Sequence, residues 1–552
     1  MKSLKLTLGV LLLWGVFPVA FGQSFLNKAK VSGNIQMNAQ YYIEDSLIGA
    51  EKVNNRIRTN TFANINYSNG GFAAGLRYEY YAHPLIDFEK IGYVGEGIPY
   101  YYFSYTTKRL EVVAGSFYEQ FGSGLVYRSY EDRNLGYDNA TRGVKIKAQP
   151  YKGITITGVL GKQRNLFEHS GQLRGLDADL SLNELFEKIG DNGFRLGMGA
   201  SFMSKFEADN DPVYRLPENV AAFAGRANLG YRQFSLNGEY AYKINDPIAL
   251  NDMIYKPGNA LLLTASYAKK GLGIFLTGLR TDNFDFRSNR SALSNNYMIN
   301  YIPTLTKEHT YMLATQYAYS SQPLGQIGFQ GEVRYKIPKK TLLGGKYGTD
   351  ITVNYSRMHG IQKDTLDDVF DNGGEMGGTL GYSSPFFGAG ELYYEDFNME
   401  ISHKFNKKWR TILTYMHQVY NMEVIEGHPG EPNVVSDVVI GDIYYSITPK
   451  HALHMEVQHL ATKQDKGNWL YGMIEYTITP HWFFSLMDAW NYGNSEDNLK
   501  IHYYNIGTSY VHDATKVTLG FGKVEEGILC VGGVCRPVPA SYGLNLQVVT
   551  TF

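Results

Sequence analysis

The sequence predicts an all-β fold: one large antiparallel transmembrane β-barrel of the bacterial outer membrane, with an even number of strands, about 26. Three observations predict it. Hydrophobicity alternates with period two from about residue 31 to the C-terminus. The connections between alternating runs are short turns and long polar loops in turn, the layout of an outer-membrane barrel. Finally, beyond the N-terminal segment no apolar run approaches the roughly 18–20 residues that a membrane-spanning helix needs.

The elements follow in chain order. Lys2 and Lys5 precede the apolar run Leu6 to Ala20, and Ala20-Phe21-Gly22 supplies small residues at a cleavage site. Residues 1–22 therefore read as a secretory signal peptide and the mature chain as starting at Gln23. Residues 23–552 read as a single barrel, and alternation begins too soon after the cut to leave room for an N-terminal plug domain.

In the first strand Val31, Ile35, Met37, Ala39 and Tyr41 share one face, while Ser32, Asn34, Gln36, Asn38 and Gln40 share the other. The pattern recurs in Phe72 to Tyr80, Phe234 to Tyr242, Ile327 to Tyr335 and Tyr542 to Phe552. Short turns are expected at Asn69-Gly70-Gly71, Lys269-Lys270-Gly271, Asn406-Lys407-Lys408 and Thr448-Pro449-Lys450. Long connections are expected at 82–97, 118–141, 205–218, 244–258, 283–294, 358–394 and 421–436. An even count requires a strand at Tyr297 to Pro303, before a turn at Thr306-Lys307-Glu308. That arrangement puts both termini and the short turns in the periplasm.

Composition narrows the function. The 552 residues include 44 Tyr, 29 Phe and 59 Gly but only 18 Pro and 2 Cys, which suits strands and turns. A formal charge of −1 excludes nucleic acid as the main partner. No HExxH, GxSxG, P-loop or paired-carboxylate motif stands out, so no enzyme is expected, and neither cofactor nor metal. His417 and His459 lack a serine partner in sequence and read as interfacial. The acidic loop carrying Asp364, Asp367, Asp368 and Asp371 reads as solvated.

Four candidate sites remain. The 118–141 segment mixes Glu119, Arg128, Glu131, Asp132, Arg133, Asp138 and Arg142 with Gly122 and Gly124. It is expected to fold into the lumen and narrow it, because a barrel this wide needs filling. Arg128, Arg133 and Arg142 are expected to pair within the segment or with inward Glu79, Asp177 and Asp179. Elsewhere, inward basic residues, among them Arg56, Arg77, Lys145, Arg174, Arg226, Lys243 and Arg334, outnumber inward acids such as Glu79, Asp177, Asp179, Glu239 and Glu456. That predicts a modestly positive lumen favouring anions. Cys530 and Cys535 bracket Val-Gly-Gly-Val and are expected to form a small disulfide ring in an oxidising compartment. Phe552, with apolar residues at alternate positions before it, resembles the C-terminal signal that barrel assembly machinery reads.

Several stretches resemble a family of uncharacterised, porin-like outer-membrane β-barrel proteins of Bacteroidota. They are Gly115 to Arg133, Asp138 to Val144, Gly344-Gly345-Lys346-Tyr347-Gly348, and Cys530 to Arg536. The resemblance implies the fold and the compartment and carries no functional residues. A looser likeness links the 115–144 stretch to alginate-export and related porins. The sequence reading is thus a passive channel or transporter for small polar, anionic solutes. The alternative is a non-conducting barrel subunit of an outer-membrane export or assembly complex. The expected partners are outer-membrane lipid (lipopolysaccharide and phospholipid), the barrel assembly machinery, small polar solutes and other outer-membrane proteins.

Overall fold

The computed structural model describes residues 29–190, 193–366, 369–372 and 375–552. The expected signal peptide and its cleavage site lie outside the described residues, as do Asp367 and Asp368 of the acidic loop. Twenty-four strands, from Lys30–Tyr42 to Ser541–Thr551, form one antiparallel sheet in which chain neighbours pair. The first strand also pairs with the last, from Asn34↔Thr551 to Tyr42↔Gly543. The sheet is therefore a closed barrel with no free edge, which satisfies every wall strand on both sides. The number is even, so both ends of the barrel sheet sit at one rim, the one carrying most of the short turns.

The count is two below the expected 26, and the reason is local. Strands Leu272–Asp282 and Gly325–Ile337 pair directly, with Asp282 opposite Gly325. Everything between them, 283–324, leaves the wall. The strand expected at Tyr297 to Pro303 and the turn expected at 306–308 are part of this excursion. Among the described residues its one ladder contact is an isolated bridge between Arg287 and Met298.

Face assignment in the wall strands follows the pleat. Arg174 was expected inward, but it stands outward beside the 53%-exposed Leu176. Leu173 and Asp177 are the buried, inward residues of this strand, and Arg174 has the other parity; the bulge at Gly171, with φ +66°, precedes all three and does not separate them. The outer face is apolar, with Val31, Ile57, Phe103, Leu160 and Leu413 exposed. Near the short-turn rim it carries paired aromatics on adjacent strands: Phe72–Tyr105, Phe194–Tyr231, Phe234–Tyr267, Trp409–Tyr445 and Trp482–Tyr510, with centroids 4.3–4.7 Å apart. An aromatic girdle at one end of an apolar band matches a wall facing lipid.

The closure seam is tight. Phe552 exchanges backbone hydrogen bonds with Gly33 at 2.9 and 3.0 Å. A Cβ on Gly33 would meet the Phe552 ring and the Asn64 carbonyl oxygen at 2.5 Å, so only glycine lets the ring lie across the first strand. Deleting Phe552 is expected to lower the yield of heat-modifiable barrel in outer-membrane fractions several-fold. Wild-type yield after the deletion would remove the case for an assembly signal.

Candidate functional site

The lumen is filled unevenly along its axis. In strand Gly325–Ile337, Gln326 at the loop end is fully buried, whereas the Arg334 side chain at the turn end is 72% exposed. In Phe194–Phe206, Lys205 is buried and Arg195 exposed. The same gradient runs from Asp396 to Lys404 in Ala389–Lys404. Inward side chains are thus sealed at the long-loop half and open to solvent at the turn half.

Two chain segments do the sealing. Residues 118–140 contribute Phe121, Leu125, Val126 and Tyr127. Residues 283–324 contribute Phe284, Phe286, Ile299, Ile302, Leu305, Leu313, Tyr317 and Tyr319. They share one buried apolar cluster with wall residues around the barrel, from Val113 and Leu173 through Met203, Met358, Met416 and Val438 to Leu460, Trp469 and Ala489. A water-filled channel would show polar, exposed groups at these inward positions. The segments also bond each other: Arg128 N–H donates to the Ile299 carbonyl at 2.9 Å, Tyr301 N–H to the Gly124 carbonyl at 3.0 Å, and the Asn139 amide to the Met298 carbonyl at 3.0 Å.

The seven charged residues singled out in the sequence have separate fates. Asp138 joins Arg77 and Arg164, the latter at 2.5 Å. Arg77 also meets Glu79 at 2.7 Å and Glu131 at 2.8 Å, and Arg164 meets Glu79 at 2.7 Å. Arg133 completes the network through Glu131 at 2.8 Å and lies over the Phe62 ring. Three guanidinium groups thus face three carboxylates, and the side chains of Arg77, Glu79, Asp138 and Arg164 are each at most 4% exposed. Glu119 pairs with inward Lys145 at 3.2 Å. Arg128 lies between the rings of Tyr130 and Tyr301, 4.4 and 4.0 Å from their centroids, an arrangement that stabilises a cation without a carboxylate. Burial raises the phenols of Tyr137 and Tyr301 above their ordinary range, so they remain neutral donors. Asp132 accepts from the backbone N–H groups of Asn134 and Leu135 and shapes a turn.

Arg142 departs from the expected set. It shares a strand face with exposed Val144 and Ile146, lies over the Tyr101 ring on the outer wall and donates to the Pro99 carbonyl at 2.8 Å. Thr141 is the inward residue at that level, so Arg142 is not in the lumen. Asp177 and Asp179 pair with neighbouring Arg226 and not with the 118–141 segment. In the sealed half Lys145, Lys205, Lys243 and Arg226 are all ion-paired, while inward Arg195 and Lys404 are exposed at the turn half.

The second segment is anchored to the opposite wall by polar contacts. His309 meets Asp396 at 2.7 Å, Lys307 meets Glu400 at 3.3 Å, and Tyr317 donates to Asp465 at 3.0 Å. Sequence reading took 283–294 as a long connection but missed the rest of the segment, because a strand placed at Tyr297 to Pro303 made the count even. Arg164 was also missed: it ends its strand, where the pleat no longer fixes direction. Between the segments at the mouth lies a cavity of about 720 Å³, lined by Lys90, Asp138, Arg164, Tyr297, Tyr420, Glu426 and Arg536 among others.

Cys530 and Cys535 form a disulfide across the hairpin Gly527–Val531/Val534–Val538. The hairpin lies on the infolded segment: Tyr301 donates its hydroxyl to the Gly532 carbonyl at 2.6 Å, and Ser321 N–H donates to Gly533 at 3.1 Å. Because so short a ring removes about 2 kcal/mol of chain entropy at most, replacing both cysteines by serine is expected to leave barrel assembly intact. Protease cleavage within 527–538 should rise. Failure of the variant to assemble would contradict this. His417 meets Asp437 at 3.0 Å and His459 meets the Tyr492 hydroxyl at 2.6 Å; neither partner is a serine.

Closed sheet and apolar outer belt define a transmembrane β-barrel, with residues of two of its own segments packed against the wall in one buried apolar cluster. The chain belongs to the family described as Family of unknown function (DUF6029), whose model matches residues 1–552. No curated protein matches it by sequence. Solved structures with a similar outline include two receptors from Pseudomonas aeruginosa. The siderophore receptor PirA is 9% identical, with a TM-score of 0.41, covering 95% of this chain and 80% of that one. The ferric enterobactin receptor PfeA is 11% identical, with a TM-score of 0.42 and coverage of 95% and 81%. OpdL of the same organism is 10% identical, with a TM-score of 0.33 and coverage of 83% and 99%. Likenesses at this level add nothing to the barrel already evident from strand pairing.

Proposed function

We propose that the protein is a bacterial outer-membrane barrel of the transport class whose lumen is shut at rest by its own segments 118–140 and 283–324. The long loops face outward, the short turns face the periplasm, and the turn half of the lumen is a pit open to the periplasm. Small polar solutes pass only when the segments are displaced. No charge preference is assigned, because the cations of the sealed half are paired. The observation that carries this reading is the buried apolar cluster shared by both segments and the wall. The barrel sits among lipopolysaccharide and phospholipid and reaches the membrane through the barrel assembly machinery.

The test is liposome swelling with a small sugar. The wild-type protein should give no swelling above empty liposomes. A chain with 285–322 replaced by a short Gly-Ser turn should swell them, since Asp282 and Gly325 are already directly paired and the barrel does not need the excursion to close. If neither conducts although both are folded, the non-conducting subunit reading replaces this one.

A further inference from the structure

Asp442 and Glu456 are directly opposed across strands Val434–Ser446 and His451–Thr462, and both are buried on the inner wall. His454, two residues before Glu456, shares that face. One ligand-capable atom from each of the three lies within 4.8 Å of the others. The His454 imidazole is held on both sides: Nε2 is 2.6 Å from Asp442 Oδ1, and Nδ1 is 2.9 Å from Glu475 Oε2 on the next strand, Trp469–Ile478. From the infolded segment, the Tyr311 hydroxyl donates to Asp442 Oδ2 at 3.2 Å.

We infer that Asp442, His454 and Glu456 form a binding site for a first-row divalent transition metal such as Zn²⁺, with Glu475 fixing the imidazole from behind. Charge is the first argument. Three carboxylates surround one imidazole, so even a protonated His454 leaves the group negative. The Arg77 network balances each acid with a guanidinium, but at this site Arg410 lies over the Tyr444 ring at 5.8 Å and not on the carboxylates. Uncompensated buried carboxylates are costly, and like charges placed directly opposite on a ladder repel. A divalent cation removes both penalties at once.

Ligand chemistry is the second argument. A mixed imidazole and carboxylate set suits Zn²⁺ and its neighbours, whereas Ca²⁺ favours oxygen alone. A histidine that ligates metal commonly gives its other ring N–H to a carboxylate, the position Glu475 occupies. A tetrahedral ion with bonds of about 2.0–2.2 Å spaces its ligand atoms by roughly 3.4 Å. Binding therefore opens the 2.6 Å contact slightly, and the metal takes the place of the proton between Nε2 and Asp442, which leaves to solvent. Tyr311 then ties the occupied site to the segment that fills the lumen.

The inference goes beyond the closed-lumen reading, and its test reads metal and not flux. Full-length protein in detergent is washed with chelator and titrated with Zn²⁺ by calorimetry, and Co²⁺ absorption reports the ligand set. One saturable site per chain is expected, unaffected by a large excess of Ca²⁺ and by His459→Ala. His454→Ala should abolish it, and Glu475→Gln should weaken it about 10–100-fold. Heat-modifiable migration checks the fold, and Glu475→Gln decides the question if His454→Ala does not assemble. No saturable Zn²⁺ binding by the wild type, equal competition by Ca²⁺, or unchanged binding in folded Glu475→Gln would overturn the site.

Discussion

Replacing Asp138 by Ala is expected to destabilise the barrel by about 3–5 kcal/mol, the cost of leaving a buried charge without its partner. Asp138 sits between Arg77 and Arg164, and it also accepts from the Tyr118 hydroxyl at 3.1 Å and the Ala140 N–H at 3.0 Å. Its removal leaves three guanidinium groups, Arg77, Arg133 and Arg164, against two carboxylates, Glu79 and Glu131. The network also ties three distant parts of the chain: strand Phe72–Tyr81, strand Ile154–Asn165 and the infolded 118–140 segment. Chemical unfolding in detergent followed by tryptophan fluorescence measures the change, and heat-modifiable migration gives an independent ranking. Asp138→Asn keeps the shape and loses the charge, so it should fall between Asp138→Ala and wild type. A loss of no more than about 0.5 kcal/mol, as for an ordinary surface change, would mean that the network does not hold the segment.

Leu313→Asp should open the lumen without any deletion. Leu313 is fully buried in the shared apolar cluster, and its N–H donates to Gln458 Oε1 at 2.8 Å. The wall beside it carries Asp442 and Glu456, so a new carboxylate there adds to a group already rich in acids. Burying it unpaired costs several kcal/mol. The chain avoids that cost most cheaply by undocking the segment, because the wall strands on either side already pair without it. The expected readout is a protein that still migrates as a folded barrel, becomes protease-sensitive within 283–324 and swells liposomes. Leu313→Met, which conserves volume and polarity and costs under about 1.5 kcal/mol, should stay shut. Swelling by both variants, or by neither, would show that this contact does not control closure.

The wall was legible in the sequence and much of the filling was not. Period-two alternation is a direct consequence of the pleat, so it located most strands and one continuous apolar outer face. It failed where it was not followed or where the segment leaves the wall. Arg174 was assigned inward together with Asp177, although the two have opposite parity on one strand and only Asp177 is buried. At Arg142 the expected role overrode the alternation, which correctly read would have placed it with Val144 and Ile146. In 283–324 alternation was present, but both faces are covered, Phe284 and Phe286 by the apolar cluster and Asp285 by Arg287 at 2.6 Å. A segment packed inside a barrel carries the composition of a strand without its partners, and only the direct pairing of Asp282 with Gly325 shows that the wall continues without it. The Asp442–His454–Glu456 group was hidden for a different reason: two of its members are twelve residues or more from the third, and only the register between strands brings them together.

The most direct test of the closed lumen is single-channel recording of the purified wild-type protein in a planar bilayer, with Leu313→Asp recorded under the same conditions. The account predicts a silent wild type and stable, large openings from the variant. Steady porin-like conductance from the wild type would contradict it.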